Sequence, residues 1–157
     1  MSAEEKAVEE TAKTVRHYLD CILAAPLSEF GLLLKDQISY WRFKNQVNAA
    51  LKAKAFLEAK GIDPKTIAGK VSPELVVPLL EASGEAADET ISTMFANLLA
   101  DAIDPTTASL IHPSYGKVLN QLSPLDAHIL SSLYGEILRN TLKIQEGILP
   151  ERYIANL

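Results

Sequence analysis

An all-α fold is what this sequence predicts: a helical bundle with a long N-terminal helical hairpin and a set of shorter C-terminal helices. Three observations carry that prediction. Alanine and leucine dominate over valine, isoleucine and threonine, and aromatic residues make up only 6%, a balance that favours helix over sheet. Apolar residues recur at three- and four-residue steps, the period of a helix with one buried face. The clearest such stretch is Asp88 to Asp104, where Ile91, Phe95, Leu98 and Ala102 are flanked by Met94, Leu99 and Ile103. Asp88 and Glu89 place negative charge at the positive end of that helix's dipole, and Pro105 disfavours helical geometry at Asp104. The rest of the chain is expected to be organised around this helix. With 157 residues and an apolar fraction of 48%, a single domain can bury enough surface to fold without disulfides or metals.

In chain order, Ala3 to Ala24 reads as a first helix with Val8, Ala12, Val15, Leu19, Ile22 and Leu23 as its stripe. Glutamates crowd its first turns, which argues against docking on anionic lipid. Pro26 breaks it, and Leu27 to Lys60 continues as a second long helix ended by Gly61, a residue suited to the left-handed cap. Residues 1–60 are thus expected to form the hairpin. Phe30, Leu34, Ile38 and Trp41 share a face of the second helix that continues through Asn45 and Asn48 before Leu51, Ala55 and Phe56. Amides on such a face either join a hydrogen-bonded network or lie in water, and the second reading ranks first because amides are mostly exposed. Residues 61–72 read as a linker.

Residues 73–146 then read as the helical core. Ser72 and Pro73 open a short helix as N-cap and first residue. Pro78 removes the hydrogen bond to the Glu74 carbonyl and is expected to bend or divide that helix, and Gly84 ends it. After the organising helix, His112-Pro113 begins a short helix carrying Tyr115, Val118, Leu119 and Leu122. Ser123 to Asp126 begins the last one as a variant of the capping box. Leu125, Ile129, Leu133 and Ile137, with Leu142 or Ile144, are its expected buried face, and Gly147 and Pro150 close it. The final PERYIANL has no stop signal of its own, which fits a fragment of a longer chain.

The net charge of −5 is unevenly placed. From Lys35 to Lys70, eight cations face three acids, a local balance of +5, whereas from Val71 to Leu130 only Lys117 opposes eight acids, a balance of −7. Complementarity between neighbouring helices is the expected use of this asymmetry. Strong nucleic-acid binding is not expected, since the cations are lysine-rich, lack an RNA-binding signature and sit in an acidic chain. Cys21 is the single cysteine, read as a buried inert thiol, and no signal sequence opens the chain, so a reducing cytoplasm is the expected location. No run of 18 apolar residues suggests a membrane span.

No phosphate loop, CxxC, HExxH or G-x-S-x-G is present, so the residues nominate no catalytic group, metal ligand or cofactor. His17, His112 and His128 are the only histidines. A site near Asp101, Asp104 and His112 is the one arrangement that would serve a metal-dependent or nucleic-acid-acting toxin. Acids near a helix end more often cap, solvate or pair, and His112 before a proline reads better as a packing or capping residue.

The runs PLSEFGLLLKDQISYWRFKNQVN, VVPLLEASGEAADETISTMFANLLADAIDP and IHPSYGKVLNQLSPLDAHIL, in that order, resemble the Abi-alpha (abortive infection alpha) family of bacterial proteins. The resemblance covers most of Pro26 to Leu130 and carries over no active-site residue. It implies a role in phage defence by abortive infection, and the expected agent of that role is a non-enzymatic helical interaction module. The expected interaction surface is Trp41, Arg42, Asn45 and Asn48, used by a protein partner or in self-association. A helix from Leu27 to Lys60 would be about 50 Å long, beyond a globule of about 40 Å. A second copy packed on the Trp41, Asn45 and Asn48 face would cover the overhang.

Overall fold

The computed structural model describes residues 3–23, 37–86 and 88–145, and among these it contains seven α-helices and no strand. The chain divides into two compact units, Met1–Gln121 and Leu122–Leu157. In the first unit, α1 (Ala3–Leu23) is followed by α2 (Gln37–Ala59), and the expected start of the second helix at Leu27 lies outside the described residues. At its other end α2 stops as anticipated. Gly61 sits at φ 74°, its N–H donates to the Glu58 carbonyl at 2.9 Å, and Ile62 N–H reaches the Leu57 carbonyl at 3.0 Å. This pair of bonds is the Schellman arrangement, in which a glycine takes the left-handed position without a Cβ clash.

The expected linker contains a helix. Asp63 accepts from Lys65 N–H at 2.9 Å and Pro64 occupies the first position of α3 (Pro64–Ile67), a cap and proline start in miniature. Ile67 and Val71 are buried, and Gly69 N–H donates to the Ile22 carbonyl at 3.3 Å, so this segment seals the end of α1. Next, α4 (Pro73–Ser83) runs unbroken through Pro78. Ser72 stands at its N-cap but makes no side-chain capping bond.

The organising helix is α5 (Glu89–Ile103). Asp88 caps it by accepting from Ile91 N–H at 2.9 Å, and Asp104 is its C-cap. Ile91, Phe95, Leu99, Ala102 and Ile103 are buried as the periodicity requires, joined by Ala96 and Ala100, while Met94 and Leu98 are only partly so. Its most extensive partner is α2, followed by α4. The face of α2 that packs is not the anticipated one. Phe43, Val47, Ala49, Ala50, Ala53 and Leu57 are buried, whereas Trp41 is 46% exposed and Asn48 and Ala55 also face outward. This helix is apolar around much of its circumference, and the alanine side lets other helices approach closely. The core thus lies between α2, α5, α4 and the inner side of α1, where Tyr18 joins Val15, Leu19 and Ile22. Cys21 faces outward and is exposed rather than buried. A 3-10 turn (Ala108–Leu110) and α6 (Tyr115–Gln121) complete the unit. Gly116 sets α6 against α4, since a Cβ there would stand 3.2 Å from both Ala82 Cβ and Leu79 Cδ2.

The second unit is described through α7 (Pro124–Gln145). Its start is the capping box expected from sequence: Asp126 accepts from Ser123 N–H at 3.0 Å and from the Ser123 hydroxyl at 2.7 Å, and Asp126 N–H donates back to that hydroxyl at 3.2 Å. The expected buried face is exposed. Leu125, Ile129, Leu133, Ile137 and Leu142 are all 43–67% accessible. Periodicity identifies a face that favours cover, but it does not say which body supplies it.

Candidate interaction surfaces

Three neighbourhoods follow from this packing. The first is where α2 meets the turn between α4 and α5. Gly84 is there because the helices touch: an added Cβ would lie 3.1 Å from Gln46 Nε2 and 3.3 Å from Arg42 Cβ. Asn45 donates to the Gly84 carbonyl at 3.0 Å and to the Ala86 carbonyl at 3.4 Å, and Arg42 pairs with Glu85 at 3.1 Å. Asn45 is therefore engaged inside its own chain, holding the glycine turn. Trp41, Arg42 and Asn48, the other members of the anticipated surface, stay exposed. Arg42 also lines an open cleft of about 470 Å³ whose walls include Glu81, Glu85, Gly116, Lys117 and Asn120. Asn120 reaches across to the Ala82 carbonyl at 3.0 Å.

The second neighbourhood holds the aspartates considered for a metal or toxin site. Lys60, from the end of α2, donates to Asp101 Oδ1 at 3.0 Å and pairs with Asp104 Oδ2 at 3.5 Å. Asp104 is buried, and its Oδ1 accepts from Thr106 N–H at 2.9 Å and from the Thr106 hydroxyl at 2.7 Å. These Thr106 bonds, with the Lys60 charge, hold the Asp104 carboxyl below the usual aspartate range. Lys60 is shifted up, first by its hydrogen bond to Asp101 and then by the charges of both acids. Such a cluster pins the end of α2 to the end of α5. His112 is engaged elsewhere: its Nδ1 lies 2.7 Å from the Ser114 hydroxyl and accepts from Ser114 N–H at 3.2 Å, which makes it a cap for the turn into α6. Among the described residues no group of three or more His, Cys, Asp or Glu is placed to hold a metal ion.

The third is apolar. Met94, Leu98, Tyr115, Val118 and Leu119 line an open cleft of about 420 Å³ between α5 and α6, with Asn97 and Asp101 at its edge. Tyr115 and Val118 are 44% and 51% exposed. Sequence reasoning assigned Leu98 to the core because its spacing is that of Phe95; in the structure it is partly buried and borders this cleft. In α7 the exposed side chains form two neighbouring rows at four-residue steps, Leu125, Ile129, Leu133 and Ile137 in one and Leu130, Tyr134, Leu138 and Leu142 in the other. No helix among the described residues is long and apolar enough to cross a membrane.

The model of the family described as Abortive infection alpha matches residues 44–155. That span begins inside α2, just after Trp41 and Arg42, and takes in the glycine turn, the apolar cleft between α5 and α6 and the whole of α7. No curated protein and no solved structure matches the chain.

Proposed function

The chain belongs to the Abortive infection alpha family, and we propose that it serves phage defence as a non-enzymatic helical module that acts through protein contacts in the cytoplasm. The observation that carries this reading is the amount of apolar side chain left at the surface of well-formed helices. Tyr115 and Val118 flank an open apolar cleft, Trp41 stands on an exposed edge of α2, and α7 exposes eight large apolar residues. Exposed apolar patches of this kind mark sites of association. The polar groups that sequence reasoning considered for catalysis are engaged in local structure, as Asp101 and Asp104 are with Lys60.

The test is a plaque assay across a broad phage panel, with cells carrying or lacking the gene, followed by pull-down during infection. Reduced plaquing of at least one phage is expected, and Val118→Glu, a substitution at an exposed position, should remove it while the protein still accumulates in folded form. Unchanged plaquing across the panel with the intact gene would refute the defence reading. Protection that survives substitutions in both the cleft and α7 would refute the contact reading.

A further inference from the structure

We propose that α1 is a strap: it lifts from α2 while the rest of the first unit stays folded, and lifting uncovers an apolar seat made by Phe43, Val47 and Ala50. The inference begins with how unevenly α1 is held. Its buried residues are Val15, Tyr18, Leu19 and Ile22, all in its second half, and from Lys6 to Thr14 no residue is buried. Backbone ties it to the rest at the last turn, where Gly69 N–H donates to the Ile22 carbonyl at 3.3 Å. By contrast α5 is buried along its whole length, capped by Asp88 at one end and held through Asp104 at the other. An element with few buried apolar contacts opens at a lower free energy than the whole molecule does.

Two defects weigh on the closed form alone. The first is a notch of about 40 Å³ between α1, α2 and α4, walled by Ala12, Val15, Leu19, Phe43, Val47 and Leu80. Side chains that border a gap lose dispersion contacts, and Ala12 is the smallest of them on the α1 side. The second is the hydroxyl of Tyr18. That residue is 7% exposed, and its oxygen is buried with no hydrogen-bond partner among the described residues. Lys54 Nζ stands 5.5 Å from the centre of the ring but donates to Glu58 at 2.6 Å. A hydroxyl buried without a partner is destabilising, and it regains water once exposed. Both defects therefore favour lifting α1. Neither touches the pairing of α2 with α5, the most extensive in the unit, which keeps the Asn45 bonds near one end and the Lys60 bonds at the other.

Lifting changes what the surface offers. With α1 in place Phe43, Val47 and Ala50 are only 4–7% exposed; with it lifted they present an apolar stripe at steps of four and three residues. The strap is an internal switch for that stripe, and its setting can be altered from α1, at Ala12 and Tyr18, without changing the stripe itself.

The test uses the full chain with Cys21, an exposed free thiol, replaced by serine. Ala50→Cys places a thiol on the wall of the notch, where a bulky maleimide reaches it once α1 lifts. Labelling should proceed under native conditions, and it should slow about 10-fold when either Tyr18→Phe or Ala12→Leu is added, the first removing the unpaired hydroxyl and the second filling the notch. Hydrogen exchange should find the amides of residues 15–22 opening at least about 100-fold more readily than those of residues 95–103. Leu98→Ala should speed exchange in the second set and leave the first unchanged. A thiol that reacts only as fast as the whole chain unfolds, α1 amides as protected as those of α5, or labelling indifferent to both substitutions would each overturn the proposal. None of these measurements involves phage or a partner, so the strap stands or falls separately from the defence reading.

Discussion

Phe95→Ala should be the most damaging single truncation in α5, and Leu98→Ala a mild one, although the two residues share the same periodic stripe. Phe95 is 0% exposed, and its ring lies 3.7 Å from where a Cβ on Gly116 would stand, in the wedge between α4, α5 and α6. Removing a fully enclosed phenyl ring deletes its transfer energy and leaves a hole that packed helices close only in part, together about 3–5 kcal/mol. Leu98 is partly buried and already borders the open cleft beside Tyr115 and Val118. Its truncation enlarges a cleft that solvent reaches, and the cost should stay near 1–2 kcal/mol, a partial share of the transfer term alone. For a chain of this size a kcal/mol moves the thermal midpoint by about 2–4 °C. Phe95→Ala should therefore melt about 6–20 °C below the parent, and Leu98→Ala about 2–8 °C below it. Urea unfolding followed by circular dichroism measures both. Equal costs at the two positions, or a larger one at Leu98, would mean that Phe95 is not enclosed between α4, α5 and α6.

Asn45→Ala should cost about 1–3 kcal/mol, because it leaves the Gly84 and Ala86 carbonyls without their donor; denaturant titration checks it, and an effect near zero would mean that water replaces the amide freely. Gly61→Ala should cost about 1–2 kcal/mol from the left-handed backbone at φ 74°, by the same titration, despite open space around that position. On the acid side, Asp104 has a carboxyl pKa depressed below 3.8 by Thr106 and Lys60, so its contribution is complete above that value and is lost as pH falls through the lower folded-state pKa; Asp104→Asn should flatten that part of the acid unfolding curve. On the alkaline side, burial first and the Glu58 charge second push Tyr18 from 10.0 to about 12. Its contribution is present below pH 10 and is lost as pH rises from 10 toward 12. Tyr18→Phe should remove on the order of 2 kcal/mol of that decline between pH 9 and 12, while leaving the rest that follows from Lys60.

The parts of the fold legible in the sequence were those that local physics decides. Asp88, Gly61 and the Ser123–Asp126 box act on backbone groups within a few residues, and each stands where its spacing placed it. The organising helix was legible because a single broad stripe has only one side to bury. Orientation in α2 was not. Apolar residues occur around most of that helix, so Trp41 and the alanines competed for the inside, and the winner was fixed by distance: Ala49 and Ala53 admit close approach by neighbouring helices where an indole would not. The role of Asn45 was hidden for a related reason. Its acceptors, at Gly84 and Ala86, lie about forty residues away in sequence, and only the packed turn makes an amide necessary there. Glycine could have been the signal, since Gly84 is followed by a non-helical connection and faces α2 without a side chain. The exposed state of α7 was beyond reach of periodicity, which reports the apolar face alone.

The charge asymmetry takes its meaning from the pairing of helices. A lysine-rich segment beside an acidic one could mark either a ligand surface or an internal match, and the distinction lies in where the ammonium groups end. Lys52 reaches Glu89 at 2.6 Å, Lys60 reaches Asp101 at 3.0 Å, and Arg42 reaches Glu85 at 3.1 Å. These three pairs follow one another along α2, toward the α4–α5 turn, the start of α5 and its end. Each is partly exposed and contributes little stability alone, about 0–1 kcal/mol. Their joint effect is on register. Sliding α2 along α5 by one turn, about 5.4 Å, would separate all three pairs together, along with the Asn45 bonds and the buried contacts of Phe43, Val47 and Leu57. The same side chains that give the second helix its positive balance therefore fix how it lies on the organising helix, and they do so with groups whose fields are locally answered by carboxylates.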